Sequence, residues 1–184
     1  MQEEIKNILV HICCAPCTAY SFEKLVNDGY NVTGFFYNPN IHPTKEHDRR
    51  LHELKIFFEK ENYKLIIKKD HFTVWFEATE GFNQEKEGGK RCEVCFKLRL
   101  EATALLAKQE GFDGFTTVLT ISPHKNSEVI NQIGRDIEEK VGINFIEENL
   151  KKQDGVKKSL ELSAKHGFYR QNYCGCVYSQ KNII

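Results

Sequence analysis

The cysteines are the residues of this chain best suited to chemistry, and they fall into three tight groups. There are seven cysteines among 184 residues. The groups are Cys13, Cys14 and Cys17; Cys92 and Cys95; and Cys174 and Cys176. Stable disulfides are rare in a reducing cytosol, so clustered cysteines of this kind are typical of metal ligands or redox catalysts. The odd number also argues against a fully paired disulfide framework.

The first group follows a short apolar run, residues 8–12 (ILVHI), which suits a buried parallel strand. Ligand sites in open α/β sheets lie beyond the carboxyl ends of the strands, and the HICCAPC segment falls at such an end. Pro16 suits the first helical position, so Cys17 is predicted in the first turn of a helix, where free amides and the helix dipole favour a thiolate. Cys13 and Cys14 would flank it from the loop. Either one alone could be a small buried hydrophobic residue, but three cysteines within five residues argue against that for the group.

The second group, Cys92 and Cys95, is a CxxC pattern that opens a predicted helix after the flexible segment EGGK. The two cysteines would share a helical face, so we expect Cys95 to point into the structure. A CxxC alone is compatible with a zinc half-site, a thioredoxin-type redox pair or an iron-sulfur half-site. The thioredoxin pair normally follows the first strands of its fold, whereas this pattern opens a mid-chain helix, which counts against that interpretation. A zinc site that only stabilises the fold stays open.

The third group, Cys174 and Cys176, is a CGC pattern. Such close neighbours can form a strained, easily reduced disulfide, which suits a redox relay, or they could complete a metal site. Aromatic and polar residues alternate around this pattern. They are Phe168, Tyr169, Tyr173 and Tyr178, with Lys165, His166, Arg170 and Gln171. Aromatic residues usually indicate a core, but this alternation also matches a surface that stacks on bases and contacts phosphates.

Strand and helix signals alternate along the chain, without an internal repeat, a low-complexity stretch or a linker. Short apolar runs predict strands at residues 8–12, 31–37, 63–68, 114–119 and 143–146. Apolar residues at helical spacing predict helices at residues 18–27, 44–61, 92–110, 127–141 and 156–166. Right-handed crossovers between these elements would give a parallel sheet flanked by helices. We therefore predict a single α/β domain over residues 1–184.

Composition limits the class of protein. Hydrophobic residues make up 40% of the chain, which is enough for the core of one domain. The N-terminus lacks the basic start and apolar region of a signal peptide, and no apolar run approaches the ~20 residues that span a bilayer. We therefore expect a cytoplasmic protein without a membrane partner. Lys plus Arg and Asp plus Glu both number 26, so a polyanion would have to meet a local basic face. Candidates for that face, which could equally be solvated helix surface, are Arg49, Arg50, Lys90, Arg91, Lys125 and Arg170.

Five segments of the chain form a specific combination: HICCAPC (residues 11–17), YNPNIHP (37–43), RCEVCFKLRL (91–100), TISPHK (120–125) and FYRQNYCGC (168–176). Taken together, they resemble the QueH family of cobalamin-independent epoxyqueuosine reductases. The resemblance covers most of the chain and implies an α/β fold of the PP-loop and adenine nucleotide hydrolase (HUP) type. HICCAPC occupies the place of the phosphate-binding SGGxDS of a PP-loop, so ATP use is not expected.

The resemblance also implies a [4Fe-4S] cluster. Its ligands would be Cys13, Cys14, Cys92 and Cys95. Cys174 and Cys176 would form the redox-active dithiol, and Cys17 would also take part in catalysis. In a second assignment three cysteines hold the cluster, while Cys17 and a CGC thiol such as Cys176 bind an adjacent single iron, aided by a carboxylate such as Glu46.

The activity that the family implies is the reduction of epoxyqueuosine to queuosine in tRNA, the last step of queuosine biosynthesis. Converting an epoxide into an alkene takes two electrons and two protons and releases water. The implied partners are a tRNA with epoxyqueuosine at its anticodon and an electron donor. An iron with an open position could polarise the epoxide C–O bond as a Lewis acid. The expected substrate-binding residues are His11, Asn38, Arg91, His124 and Tyr173.

Two other functions remain as alternatives. An iron-sulfur tRNA thiolase would share the sheet and the cluster but would need ATP, and the missing SGGxDS counts against it. A non-catalytic zinc-binding module that recognises RNA needs only four ligands, so the surplus of cysteines counts mildly against it.

Overall fold

A computed structural model describes residues 6–69 and 71–180, in which strands and helices alternate. The strands are β1 (Asn7–Ile12), β2 (Asn31–Phe36), β3 (Lys64–Ile67), β4 (Gly114–Thr117) and β5 (Asn144–Phe145). The helices are α1 (Ala15–Asn27), α2 (Thr44–Lys60), α3 (Phe72–Ala78), α4 (Lys90–Gln109), α5 (Ser127–Val141) and α6 (Gly155–His166). Short 3-10 helices lie at Val118–Ile121 and Val177–Ser179.

The five strands form one sheet in the order β3-β2-β1-β4-β5, and every neighbouring pair is parallel. In the register, His11 of β1 pairs with Phe35 of β2 on one side and with Thr117 of β4 on the other. The chain runs outward from β1 to β3 and then returns to place β4 on the opposite side of β1. The crevice beyond the carboxyl ends of β1 and β4 is therefore the topological switch point, where open sheets of this kind bind ligands. The predicted parallel α/β architecture is confirmed.

Helices cover both faces of the sheet because side chains alternate along each strand. On β1, Leu9 belongs to the cluster that α4 and α5 complete with residues such as Leu100 and Ile130. Ile8 and Val10 belong to the opposite cluster, which includes Phe22 of α1 and residues of α2. A buried apolar layer covers each face of the sheet. This packing fixes the positions of the residues at its carboxyl edge.

Most predicted elements lie within a few residues of the observed ones, and the α5 bounds agree. Asn126 caps α5 by accepting the Glu128 amide at 2.9 Å, and Gly142 ends the helix at a φ of 72°. The predicted strand 114–119 stops at Thr117, because the Thr117 hydroxyl accepts the Leu119 amide at 3.1 Å and the backbone turns into a 3-10 helix. These local bonds explain why the strand is shorter than its apolar pattern predicts.

Helix α3 was not predicted from the sequence. Its segment FTVWFEA is short and rich in aromatic and β-branched residues, which favour strands. Tertiary packing outweighs that preference, since Trp75 is fully buried against Phe76, Tyr178 and His42. Across the described residues, no helix has both the length and the apolar character needed to cross a bilayer. The single-domain organisation over residues 1–184 stays a prediction.

Candidate metal and redox site

The first cysteine group lies where β1 ends and α1 begins. The sulfur atoms of Cys13, Cys14 and Cys17 all lie within 4.8 Å of one another, close enough to hold one metal ion. Cys14 is the N-cap of α1 in extended conformation, and Cys17 is the third helical residue. Two hydroxyls fix this turn, since Thr18 donates to the Cys14 carbonyl at 2.8 Å and Ser21 donates to the Cys17 carbonyl at 2.7 Å. The predicted grouping at the carboxyl edge is therefore present.

Negative charge within this group is favoured at Cys14. The neighbouring thiols of Cys13 and Cys17 hydrogen-bond to Cys14 and lower its pKa, and Arg50 and the Gln171 amide, 3.1 Å from the sulfur, act in the same direction. The same bonds raise the pKa of Cys13 to about 12 and raise that of Cys17. The sequence predicts the thiolate at Cys17 from the helix dipole. In the structure the contacts among the three thiols favour the charge at Cys14 instead.

The second and third groups face a common cavity of about 160 Å³. Its lining includes Cys92, Cys95, Cys174 and Cys176. Cys95 is 7% exposed, as its place on the inner face of α4 predicts, and burial is the main cause that raises its pKa to about 11. The Gly88 amide donates to the Cys92 sulfur at 3.2 Å. Four thiols from distant parts of the sequence therefore surround one space.

A second, larger cleft of about 650 Å³ lies next to this cavity. It is bordered by Cys13, Cys17 and Cys174, by residues 121–125, by the start of α6 and by residues 170–174. Cys174 lines both spaces, so it connects the first group with the second. The cleft is within the range of about 300–1,000 Å³ that small-molecule sites occupy.

The CGC segment is held in place by residues far away in sequence. The backbone amide of His42 donates to the Gly175 carbonyl at 2.8 Å, and the Tyr173 hydroxyl donates to the His42 carbonyl at 2.6 Å. Arg50 of α2 donates to the Cys174 carbonyl at 3.0 Å. Gly175 has a φ of 128°, a conformation that favours glycine.

Arg50 is itself fixed by a buried ion pair with Glu46, at 2.7 Å between Nε and Oε1. The other Glu46 oxygen accepts the Tyr169 hydroxyl at 3.2 Å. Both oxygens of Glu46 are therefore engaged, which counts against Glu46 as an iron ligand. The pair instead supports the carbonyls of the CGC segment.

Two cations, the half-buried Lys125 and the buried Arg99, stand among the three cysteine groups. Burial alone would lower the pKa of Lys125, but Cys174, Cys13 and Cys17 raise it. Burial likewise opposes the charge of Arg99, and Cys95 and Cys174 outweigh it, so that the pKa of Arg99 is raised. These cations are complementary to a centre that carries negative charge on sulfur.

Of the five predicted substrate-binding residues, two border the cleft. His124 lies between the cleft and the cavity, and Tyr173 lines the cleft. The other three are buried. Asn38 donates to the Ile12 carbonyl at the end of β1 at 2.9 Å, and Arg91 donates to the carbonyls of residues 82, 83 and 85 in the loop before α4. His11 lies between the Thr117 hydroxyl and the Tyr37 carbonyl, and burial, followed by the Arg99 charge, lowers its pKa to about 3. The direct contact of these residues with substrate stays a prediction.

Sequence reasoning did not identify Arg99 as a site residue, and it named Gln171 only within a possible nucleic-acid surface. The available signal for Arg99 was its position four residues after Cys95, on the same face of α4. Gln171 is placed against Cys14 only by tertiary contact, 157 residues along the chain. No local pattern could have indicated that contact.

The chain is similar to one known protein family over most of its length. The family model described as "Epoxyqueuosine reductase QueH" matches residues 8–182. Proteins named epoxyqueuosine reductase QueH from Streptococcus pyogenes serotype M1 and Acinetobacter baylyi are each 40% identical to this chain. The alignments cover 95% of this chain and 71% of the former protein, and 99% of this chain and 84% of the latter. The protein of that name from Thermotoga maritima is 36% identical over 94% of this chain and 89% of its own length.

Solved structures show the same fold at low sequence identity. A predicted subunit of tRNA methyltransferase from Methanocaldococcus jannaschii has a TM-score of 0.60 at 16% identity, covering 86% of this chain and 74% of that chain. The U34-tRNA thiolase NcsA from Methanococcus maripaludis, solved with its [4Fe-4S] cluster, has a TM-score of 0.58 at 14% identity. That match covers 97% of this chain and 63% of the thiolase. The predicted PP-loop-like fold class is confirmed.

Proposed function

This chain belongs to the epoxyqueuosine reductase QueH family, and on that premise we propose that it reduces epoxyqueuosine in tRNA to queuosine. The observation that carries the proposal is the convergence of three cysteine groups on the carboxyl edge of the sheet, beside a cleft of about 650 Å³. Family membership indicates the substrate, and the thiols can provide the electrons that its reduction requires.

We assign the two electrons to the CGC dithiol. Oxidation of Cys174 and Cys176 to a disulfide releases two electrons and two protons, which balances the conversion of an epoxide into an alkene and water. Cys174 lines the cleft and Cys176 lines the inner cavity, so the pair lies between substrate and interior. An external electron donor must then reduce the disulfide before the next turnover.

The donor set fits an iron-sulfur cluster. The predicted ligands are Cys13, Cys14, Cys92 and Cys95. Cys13 lines the cleft and has Cys14 beside it, Cys92 and Cys95 line the cavity, and Cys174 lines both spaces. A buried Arg99 Nη2 that has no hydrogen-bond acceptor among the described residues lies at the same cavity, as a site for an anionic centre requires. When bound, the cluster would pass electrons singly between the donor and the site.

A single iron beside the cluster is the alternative ligand assignment. The close approach of the three sulfur atoms in the first group supports it, because the Cys17 sulfur lies within 4.8 Å of those of Cys13 and Cys14. Cys17 and Cys176 would then be ligands of that iron. Glu46 would not be one, since Arg50 and Tyr169 already occupy its oxygens.

The cleft would accept the modified anticodon nucleotide. His124 and Tyr173 border it and can contact the base, while Lys125 and Arg170 provide positive charge for phosphates. A tRNA substrate suits the cytoplasmic location predicted from the sequence. The thiolase alternative has the fold in its favour but would need an ATP site, and HICCAPC stands where the phosphate-binding segment would lie.

Complementation tests the proposal in cells. The chain is expressed in bacteria that lack their own epoxyqueuosine reductase, and nucleosides from their tRNA are analysed by mass spectrometry. We expect queuosine to replace epoxyqueuosine, and expect the variant Cys174→Ser to leave epoxyqueuosine in place. Unchanged epoxyqueuosine with well-expressed, iron-loaded protein would reject the function. Zinc in place of iron would favour the RNA-binding module.

A further inference from the structure

Arg99 is a buried cation for which the described residues provide no carboxylate. It is 1% exposed and lies on α4, where its Nε donates to the Cys95 carbonyl at 3.1 Å. Its Nη2 is buried without a hydrogen-bond partner among residues 6–69 and 71–180. A guanidinium in such a place is strongly destabilising unless a negative group compensates for it.

The other two buried arginines have more hydrogen-bond acceptors among the described residues. Arg50 forms the ion pair with Glu46 and donates to the Cys174 carbonyl. Arg91 donates three hydrogen bonds to carbonyl groups of the loop before α4. Arg91 also lines the cavity near Cys92, and its Nε likewise has no partner among the described residues. Arg99 differs from both because it interacts with thiols of all three cysteine groups.

Those thiols come from all three cysteine groups. Arg99 shares the 160 Å³ cavity with Cys92, Cys95 and Cys174, and it is near enough to Cys13 to interact electrostatically. Thiols lose their protons when they bind a metal, so a cluster at this place would carry negative charge toward Arg99. The unpaired nitrogen would then have an acceptor.

We propose that Arg99 is the buried counter-ion of the thiolate-bound iron-sulfur centre and sets its reduction potential, an inference that rests on the proposed function. Reduction adds negative charge to the centre. A fixed positive charge in a low-dielectric interior stabilises the reduced form more than the oxidised form. Arg99 therefore raises the potential and makes the centre easier to reduce. It acts through the cluster and does not contact the substrate.

A redox titration of anaerobically reconstituted protein tests this role. The comparison is made at the potential at which the unchanged protein is half reduced. There we expect Arg99→Gln to lower the ratio of reduced to oxidised centre at least tenfold, which corresponds to a reduction potential lower by about 59 mV for a one-electron couple. Arg99→Lys keeps the charge. The control Lys97→Gln removes the same charge from an exposed position on the same helix. For both variants the ratio of reduced to oxidised centre should stay within about threefold of that in the unchanged protein. Arg99→Lys keeps the buried charge, and solvent screens the exposed charge that Lys97→Gln removes.

Thermal stability separates this role from a structural one. Before iron is added, Arg99→Gln should melt at the same temperature as the unchanged protein or higher, since it removes an uncompensated charge. After reconstitution it should melt lower. The proposal is overturned if the variant is less stable in both forms, fails to fold, or binds the same iron with an unchanged potential.

The two proposals can fail separately. If the unchanged protein takes up no iron, the proposed cofactor is rejected, and the proposed role of Arg99 is rejected with it. Iron-loaded protein that shows the predicted Arg99 effect but leaves epoxyqueuosine tRNA unreduced would keep the role of Arg99 and reject the function.

Discussion

Arg50 and Cys174 are joined directly, although 124 residues separate them in the chain: Arg50 Nη1 donates to the Cys174 carbonyl at 3.0 Å. The same guanidinium is paired with Glu46, so the ion pair on α2 fixes the position of the CGC segment. The predicted redox dithiol thus depends on a buried electrostatic contact outside the cysteine groups.

Replacing Arg50 by Met should leave Glu46 buried without its partner. Loss of one member of a buried ion pair typically costs about 3–5 kcal/mol, so we expect the free energy of unfolding to fall by that order. Arg49→Met is the matched control: this neighbour is exposed and stacks on the Tyr169 ring at 3.3 Å, which is worth about 0.5–1 kcal/mol. Urea unfolding followed by circular dichroism measures both. Equal losses for the two variants would contradict the structural role of the ion pair.

Gly175→Ala should displace the CGC segment. A Cβ at this position would lie 3.0 Å from Ile41 Cγ1 and 3.2 Å from Arg50 Nη1, in a backbone conformation with a φ of 128°. We expect the rate of epoxyqueuosine reduction to fall by roughly 100-fold, the typical effect of a displacement of about 1 Å. Gly167→Ala also has a positive φ but open space around its Cβ, so it should cost about 1–2 kcal/mol of stability and leave the rate nearly unchanged. Equal rates for the two variants would show that crowding at Gly175 does not matter.

Serine substitutions separate cluster ligands from the dithiol. We expect iron content to drop sharply when serine replaces a predicted ligand: Cys13, Cys14, Cys92 or Cys95. Cys174→Ser and Cys176→Ser should keep their iron and lose reduction altogether, a single turnover included, because no disulfide can form and the two electrons then have no source. Iron and sulfide analysis with a turnover assay measures both effects. If Cys176→Ser and Cys17→Ser each lost a fraction of the iron while the cluster persisted, the single-iron assignment would replace this one.

Asp113 should make stability depend on pH at the start of β1. Its carboxylate accepts the backbone amides of Asn7 at 2.7 Å and Lys6 at 3.0 Å, and these bonds lower its pKa. Since the folded-state pKa is depressed, the stabilisation is present above the unfolded value of about 3.9 and is lost as the pH falls through the folded-state value. Asp113→Asn should therefore be less stable than the unchanged protein at pH 7.

The difference in the free energy of unfolding between Asp113→Asn and the unchanged protein should shrink in acid. Unfolding curves at a series of pH values measure it. Glu139→Gln removes the same charge from an exposed residue of α5 and is the control. A difference for Asp113→Asn that stays constant down to pH 2 would show that its carboxylate charge does not stabilise the fold.

The fold could be predicted from the sequence wherever periodicity and caps act together. Residues 127–141 repeat apolar side chains at helical spacing between Asn126 and Gly142, and that helix was predicted with its bounds. Helix α3 was missed because its local preference favours a strand and only the burial of Trp75 decides otherwise.

The sequence was enough to predict which cysteines form the site, but not how charge is distributed among them. Clustering and the carboxyl-edge rule were enough to place Cys13, Cys14 and Cys17 together. The preference for charge at Cys14 and the position of Arg99 depend on contacts between distant segments, which spacing along the chain does not encode.

The most direct test of the central claim is the conversion of epoxyqueuosine by the purified protein. Anaerobically reconstituted protein is incubated with a reductant and tRNA that carries epoxyqueuosine, without ATP, and the nucleosides are analysed by mass spectrometry. We predict that queuosine, lighter by one oxygen atom, appears in equal amount to the epoxyqueuosine lost. Epoxyqueuosine that stays intact with protein carrying a full complement of iron and sulfide would contradict the account.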